Sequence, residues 1–193
     1  MVEKRSTGIS GLDFQLGGGY PEGSSIVIYG SALAGLDRMA MQFWKAEDNP
    51  GTYIMLDSAP AEGMVTPENA DAATILGLMD GSDRVVVDSL STVILEHGID
   101  TAIRLIRDAT LAVKSRGGNI MFILYAGLHA PIEEIRIMRA ADVFMTLTET
   151  IHGNEVERRL AINKILSMDV PLRVFPYNIM KGGLEFSTTA RVV

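Results

Sequence analysis

The chain contains no cysteine, which excludes disulfides and thiolate metal sites and accords with a reducing compartment. It also lacks a long apolar run: the longest, Ile120 to Leu128, is too short to span a bilayer. Its opening, MVEKRSTG, has no apolar core of the kind a secretory signal carries. These absences set the expectation of a soluble, cytoplasmic protein with no membrane partner. Positive charge is scarce too. There are 17 Lys and Arg against 24 Asp and Glu, for a net charge of −7, which opposes non-specific attraction to nucleic acid. The best basic candidate is Arg104, Arg107 and Lys114 on one predicted helix face, but Asp108 sits among them and no aromatics interleave. It reads as a solvated outer face, and nucleic acid is not expected as a partner. The three histidines, His97, His129 and His152, share no metal-ligand spacing, so they read as surface or loop residues and no metal site is expected. What is present is a chain of 193 residues, 47% hydrophobic and without an internal repeat, enough for one domain with a substantial core.

The stretch Ser25 to Trp44, SIVIYGSALAGLDRMAMQFW, organises the rest. Ile26, Val27, Ile28 and Tyr29 form a buried strand, and Leu36, Met39, Ala40 and Phe43 recur at i, i+3, i+4 and i+7, which predicts a helix. Between them lies a glycine-bounded loop of Gly30, Ser31, Ala32, Leu33, Ala34 and Gly35. A working phosphate loop, G-x-x-x-x-G-K-[ST], cradles phosphate on backbone N–H groups, reaches the outer phosphates with its Lys and holds Mg²⁺ with its hydroxyl. Here Leu36 stands at the Lys position and Asp37 at the hydroxyl position. The backbone half of the motif is kept and the side-chain half is lost. An anion in the first turn of a helix is stabilised by the helix dipole and the free N–H groups, so Asp37 is a candidate to cap the helix and fill the anion site itself. An ordinary glycine-rich strand-to-helix turn accounts for the same residues in isolation. Gly30 to Asp37 are the candidate ligand-binding residues, with no catalytic residue among them.

The remaining pattern is that of an α/β domain. Leu12, Phe14 and Leu16 predict a small apolar turn broken by Gly17, Gly18 and Gly19. A turn at Asn49-Pro50-Gly51 leads to a strand over Thr52 to Leu56, ending at Asp57 and Ser58, and at most one short helix follows around Glu68 to Leu78. Arg84 to Leu90, RVVVDSL, reads as a central buried strand carrying Asp88 near its end. Ile99, Ala102, Ile103, Ile106, Thr110 and Val113 give a helix running to about Ser115. Asn119 to Tyr125 is a further strand, Pro131 opens a helix through Ile132, Ile135 and Met138, and Asp142 to Leu147 is a strand again. Strands separated by helices predict a mostly parallel sheet. From Glu155 onward no long helical pattern intervenes, which predicts antiparallel strands with a last turn at Gly182 and Gly183.

The phrases T-G-I-S-G-L-D from Thr7, L-G-G-G-Y-P-E-G from Leu16 and S-I-V-I-Y-G from Ser25, followed by V-V-V-D-S-L-S from Val85 and R-R-L-A-I-N-K from Arg158, resemble the KaiC/RadA branch of the RecA-like ATPases. The resemblance covers nearly the whole chain. It implies a single RecA-like domain over residues 1–193, with a lead-in over 1–23, an α/β core over 24–150 and C-terminal β-strands over 151–193. It also implies that Asp88 stands at the position that orients Mg²⁺, and that Lys164 stands where the family reaches toward a neighbouring subunit's nucleotide. Without a hydroxyl at position 37, Asp88 reads instead as a hydrogen-bonding strand cap. Four positions depart from the family's catalytic pattern. Leu36 and Asp37 replace Lys and Thr, Asp57-Ser58 replaces the acidic doublet, and Leu166 replaces an Arg. A working ATPase whose Lys comes from elsewhere is a third reading, with Arg38 or Lys45 as candidates, although helical geometry turns Arg38 from the ligand side of the loop. The expectation is a pseudo-ATPase that serves as a protein-interaction or regulatory scaffold of archaeal-type signalling, through an unidentified protein partner or self-association. The alternative is a switch that binds ATP or ADP weakly through the loop backbone without efficient hydrolysis; otherwise no cofactor is expected.

Overall fold

A computed structural model of the chain describes residues 3–48, 51–79 and 81–186. The turn expected at Asn49 and Pro50, and the end of the chain after residue 186, lie outside the described residues. The elements in chain order are β1 (Lys4–Arg5), α1 (Ser10–Gln15), β2 (Tyr20–Pro21), β3 (Ser25–Gly30), α2 (Leu36–Trp44), β4 (Thr52–Met55), α3 (Ala72–Leu78) and β5 (Arg84–Asp88). They continue with α4 (Leu90–His97), α5 (Ile99–Lys114), β6 (Asn119–Tyr125), α6 (Pro131–Ala140), β7 (Val143–His152), β8 (Glu155–Ile165), β9 (Phe175–Met180) and β10 (Gly183–Phe186). Eight strands form one sheet in the order β10-β9-β8-β7-β3-β6-β5-β4. The five from β7 to β4 are parallel, while β8, β9 and β10 close the sheet antiparallel. The fold is therefore α/β, with a mostly parallel sheet flanked by helices and antiparallel C-terminal strands.

Alternation along the strands divides the core in two. On β3, Ile26 and Ile28 face one side with α1, α2 and the C-terminal strands, while Val27 faces the other with α3, α4, α5 and α6. Helix α2 buries Leu36, Met39, Ala40, Phe43 and Trp44, the stripe expected from its spacing, at roughly 1.5–3 kcal/mol for each large side chain removed from water. Its outer side is tied to the edge strand by Gln42, whose amide donates to the Leu184 carbonyl at 3.1 Å and accepts from the Leu184 N–H at 2.7 Å. That side chain satisfies backbone groups which an edge strand otherwise leaves open.

Three sequence expectations change. The strand expected over Arg84 to Leu90 stops at Asp88, and Ser89 caps a helix, α4, that the apolar pattern did not separate from it, accepting from the Thr92 N–H at 3.4 Å. In α6 it is Ile137 that is buried, while Ile132, Ile135 and Met138 face outward. In α1, Leu12 is buried, as is Leu16 just after it, whereas Phe14 is exposed. Among the described residues, no helix is long and apolar enough to cross a membrane.

A partly buried ion cluster centred on Arg84 fastens the lead-in to the sheet. Arg84, with no exposed surface, donates to the carbonyls of Ser6 and Phe43 at 3.0 Å each, pairs with Glu47 and stacks 4.5 Å from the centre of the Phe43 ring. Arg5 pairs with the same Glu47 and with Asp83. These two guanidinium groups hold the Glu47 carboxyl below its ordinary range even though burial acts the other way.

Candidate functional site

The loop from Gly30 to Gly35 sits at the C-terminal end of β3, between the central strands and the terminal hairpin. Both glycines that frame it are required by the chain's own packing. A methyl group on Gly30 would stand 2.6 Å from the Leu147 carbonyl oxygen of β7. Gly35 adopts φ +87°, a left-handed conformation that favours glycine, and a methyl group there would meet Ile179 and Leu184 at 3.0 and 3.1 Å. The loop is also strapped from outside, because the buried Tyr177 hydroxyl donates to the Ala34 carbonyl at 2.7 Å. Burial pushes the Tyr177 hydroxyl up to about 12, so it stays a donor.

Two loop amides are spent locally. Ser31 Oγ accepts from the Leu33 N–H at 3.2 Å, and the Ser31 carbonyl accepts from the Ala34 N–H at 3.1 Å. The Ser31 hydroxyl itself donates to Glu149 of β7 at 2.7 Å. Ala32 and Leu33 form an exposed tip. Leu36, at the position where a phosphate loop carries its Lys, is only 1% exposed and belongs to the core of its face. Asp37 points the other way: its side chain is 61% exposed and its nearest charged partner is Arg38 at 3.7 Å. The helix cap is Gly35 with no side-chain hydrogen bond, so the expectation that Asp37 caps the helix and fills the anion site gives way to an outward carboxylate. Its neighbour Arg38 lines a separate cavity.

Asp88, at the end of β5, is 3% exposed. Its Oδ2 accepts from the Tyr53 hydroxyl at 2.7 Å, the strand-cap role expected for it, while its Oδ1 is buried with no partner. Burial pushes the Asp88 carboxyl up to about 6, with the charges of Asp57 and Asp37 adding to the shift and the Tyr53 hydrogen bond opposing it. Asp57 accepts from the Thr92 hydroxyl, and Ser58 directs its hydroxyl at the Met55 sulfur, 3.3 Å away. Among the described residues, no group of three or more His, Asp and Glu side chains is arranged to hold a metal ion. Near Asp88 on the same end of the sheet, the Ser91 hydroxyl oxygen bonds His129 Nε2 at 2.9 Å and accepts from the Tyr125 N–H at 2.9 Å. Burial lowers the His129 pKa. His97 and His152 are exposed beside Glu96 and Glu157.

Mg²⁺–triphosphate does not fit these residues. The loop offers no side-chain cation, Asp37 stands outward where a phosphate loop carries its hydroxyl, and the charges of Asp37 and Asp57 act on the buried Asp88 rather than being met by cations. Lys164 is accounted for within its own chain: its ammonium donates to the carbonyls of Met138, Arg139 and Ala141 and so caps the C-terminus of α6. Leu166 is exposed beyond it.

Sequence reasoning missed a cavity of about 660 Å³ on the outer face of α2, between the lead-in and the β9–β10 turn. Arg38, Lys45 and Lys181 line it together with Ser10, Asp13 and Met41. Arg38 and Lys45 stand seven residues apart along α2 and its end, on one helix face, and the docking of the terminal hairpin onto α2 brings Lys181 to them.

The sheet order, the strand–loop–helix unit at its centre and the antiparallel closure define a RecA-type α/β fold. A KaiC-like protein from the hyperthermophilic archaeon Pyrococcus horikoshii has a solved structure that superposes with a TM-score of 0.78, covering 97% of this chain and 100% of that one at 17% sequence identity. At that identity the likeness speaks for the fold. No family model matches the chain. No curated protein matches it in sequence.

Proposed function

We propose that this chain is a non-hydrolysing protein of KaiC-like fold that acts as a protein-interaction or regulatory scaffold. The observation that carries the reading is the placement of Leu36 in the core beside an outward Asp37, which leaves the loop without the cation and hydroxyl that phosphoryl transfer requires. Packing of Gly30 and Gly35 against β7, β9 and β10 explains why the loop's shape persists without a phosphate to hold. Exposed apolar side chains at the same end of the sheet, Leu33 on the loop and the cross-strand pair Ile151 and Val156 on the β7–β8 hairpin, supply the kind of surface a partner covers.

A second reading is a nucleotide-binding switch, favoured by the cation-lined cavity beside the loop. Calorimetric titration with ATP and Mg²⁺ separates the two. The scaffold reading expects no heat of binding at micromolar nucleotide; saturable binding without phosphate release would replace it with the switch.

A further inference from the structure

We propose that the cavity between α2 and the β9–β10 turn is a binding site for a small phosphate-bearing anion, held beside the phosphate loop rather than in it. On a chain with a net charge of −7, three cations, Arg38 and Lys45 from α2 and its end and Lys181 from the hairpin turn, converge on one cavity. The single carboxylate in its wall, Asp13, is already engaged: its Oδ2 accepts from the Ser6 hydroxyl at 2.6 Å and its Oδ1 from the Thr7 N–H at 2.7 Å. Gln42 is likewise engaged at both ends with Leu184. Lys181 has no ion pair recorded among the described residues, Lys45 lies over the Trp44 ring at 5.5 Å, and Arg38 has only the 3.7 Å approach of the exposed Asp37. Asp13 keeps its charge, since both of its donors are neutral, so three cations face one carboxylate and an excess of positive charge remains. A ligand carrying two or three negative charges, a phosphate monoester or a pyrophosphate group, matches that excess better than a single carboxylate does.

Negative charge gathers around Asp88, where Asp37 and Asp57 act on its carboxyl, whereas the cavity collects the cations. The volume exceeds that of pyrophosphate alone, and Met41 and Ala46 provide apolar wall for an organic moiety.

The test is calorimetric titration of the full chain with sodium pyrophosphate at low ionic strength without Mg²⁺, repeated for K181E, K45E and D37N. All three positions are exposed, and far-UV circular dichroism with thermal melts verifies that each variant folds. The proposal expects saturable binding that weakens at least tenfold in K181E and in K45E and does not weaken in D37N. Absence of binding at millimolar pyrophosphate would overturn it, as would binding that is indifferent to both Lys→Glu changes. An arm with millimolar ATP without Mg²⁺, above the micromolar range that separates the two functional readings, distinguishes sources: equal sensitivity of ATP and pyrophosphate to K181E supports an anion seated in the cavity. ATP binding that survives K181E while pyrophosphate fails to bind overturns this proposal. Neither result depends on phosphate release, which bears separately on the non-hydrolysing reading.

Discussion

At its N-terminal end α2 meets a loop with no cation, where Leu36 is packed into the core and Asp37 faces solvent. At its C-terminal end the same helix meets Arg84, a guanidinium with no exposed surface that binds the Phe43 carbonyl, the Ser6 carbonyl and Glu47. The chain therefore tolerates the cost of burying a charge where that charge fastens the lead-in, α2 and β5 together, and has no charge where one would serve phosphate. Charge at one end is part of the scaffold. At the other end the scaffold stands on glycine packing and a tyrosine strap.

Breaking the buried end has the largest expected effect. Arg84→Ala leaves Glu47 sharing only Arg5 and strips donors from two carbonyls, at a cost of about 3–5 kcal/mol, read as a drop in the urea midpoint at unchanged slope. If the two ends were alike in importance, Leu36→Met would cost as much; a volume-conserving apolar swap is expected to stay below about 1.5 kcal/mol.

Asp88 sharpens the comparison through pH. Its carboxyl is pushed up from 3.8 to about 6 in the folded chain. A carboxyl raised above its unfolded value favours the fold while protonated, so its penalty is absent below about pH 4 and grows as pH rises through about 6. Asp88→Asn is expected to remove that slope and to be more stable than the parent at pH 8 by on the order of 3 kcal/mol. Denaturant titrations at pH 4 and pH 8 read it; an identical pH slope in parent and variant would contradict the burial argument. The smallest effect belongs to the strap. Tyr177→Phe leaves the Ala34 carbonyl without its donor, for about 1 kcal/mol, with faster amide exchange confined to residues 31–36.

Strand positions, the α2 stripe and the antiparallel finish were legible because period-2 and period-3.6 patterns survive in Ile26 to Tyr29 and Leu36 to Phe43. Helix α4 was not, because Leu90 to Ile94, LSTVI, is short and rich in β-branched residues like β5, so no helical period stands out after Ser89. The helix of α6 was legible from Pro131 and the spacing of Ile132, Ile135 and Met138, but that spacing did not tell which face meets the sheet, which is the one carrying Ile137. In the candidate site, Leu36 and Asp37 were legible after the glycine-bounded loop, but the direction of each side chain was not. The burial of Arg84 and the arrival of Lys181 beside Arg38 and Lys45 depend on contacts between residues far apart in sequence, which no local pattern encodes.

Phosphate release from ATP and Mg²⁺ by the purified chain, with Asp88→Asn as the control for a contaminating activity, decides whether the protein hydrolyses nucleotide. A non-hydrolysing chain releases phosphate no faster than protein-free buffer, with no difference between parent and variant. Turnover approaching the ordinary enzymatic range of about 1 s⁻¹ or more, abolished by Asp88→Asn, would contradict the non-hydrolysing reading.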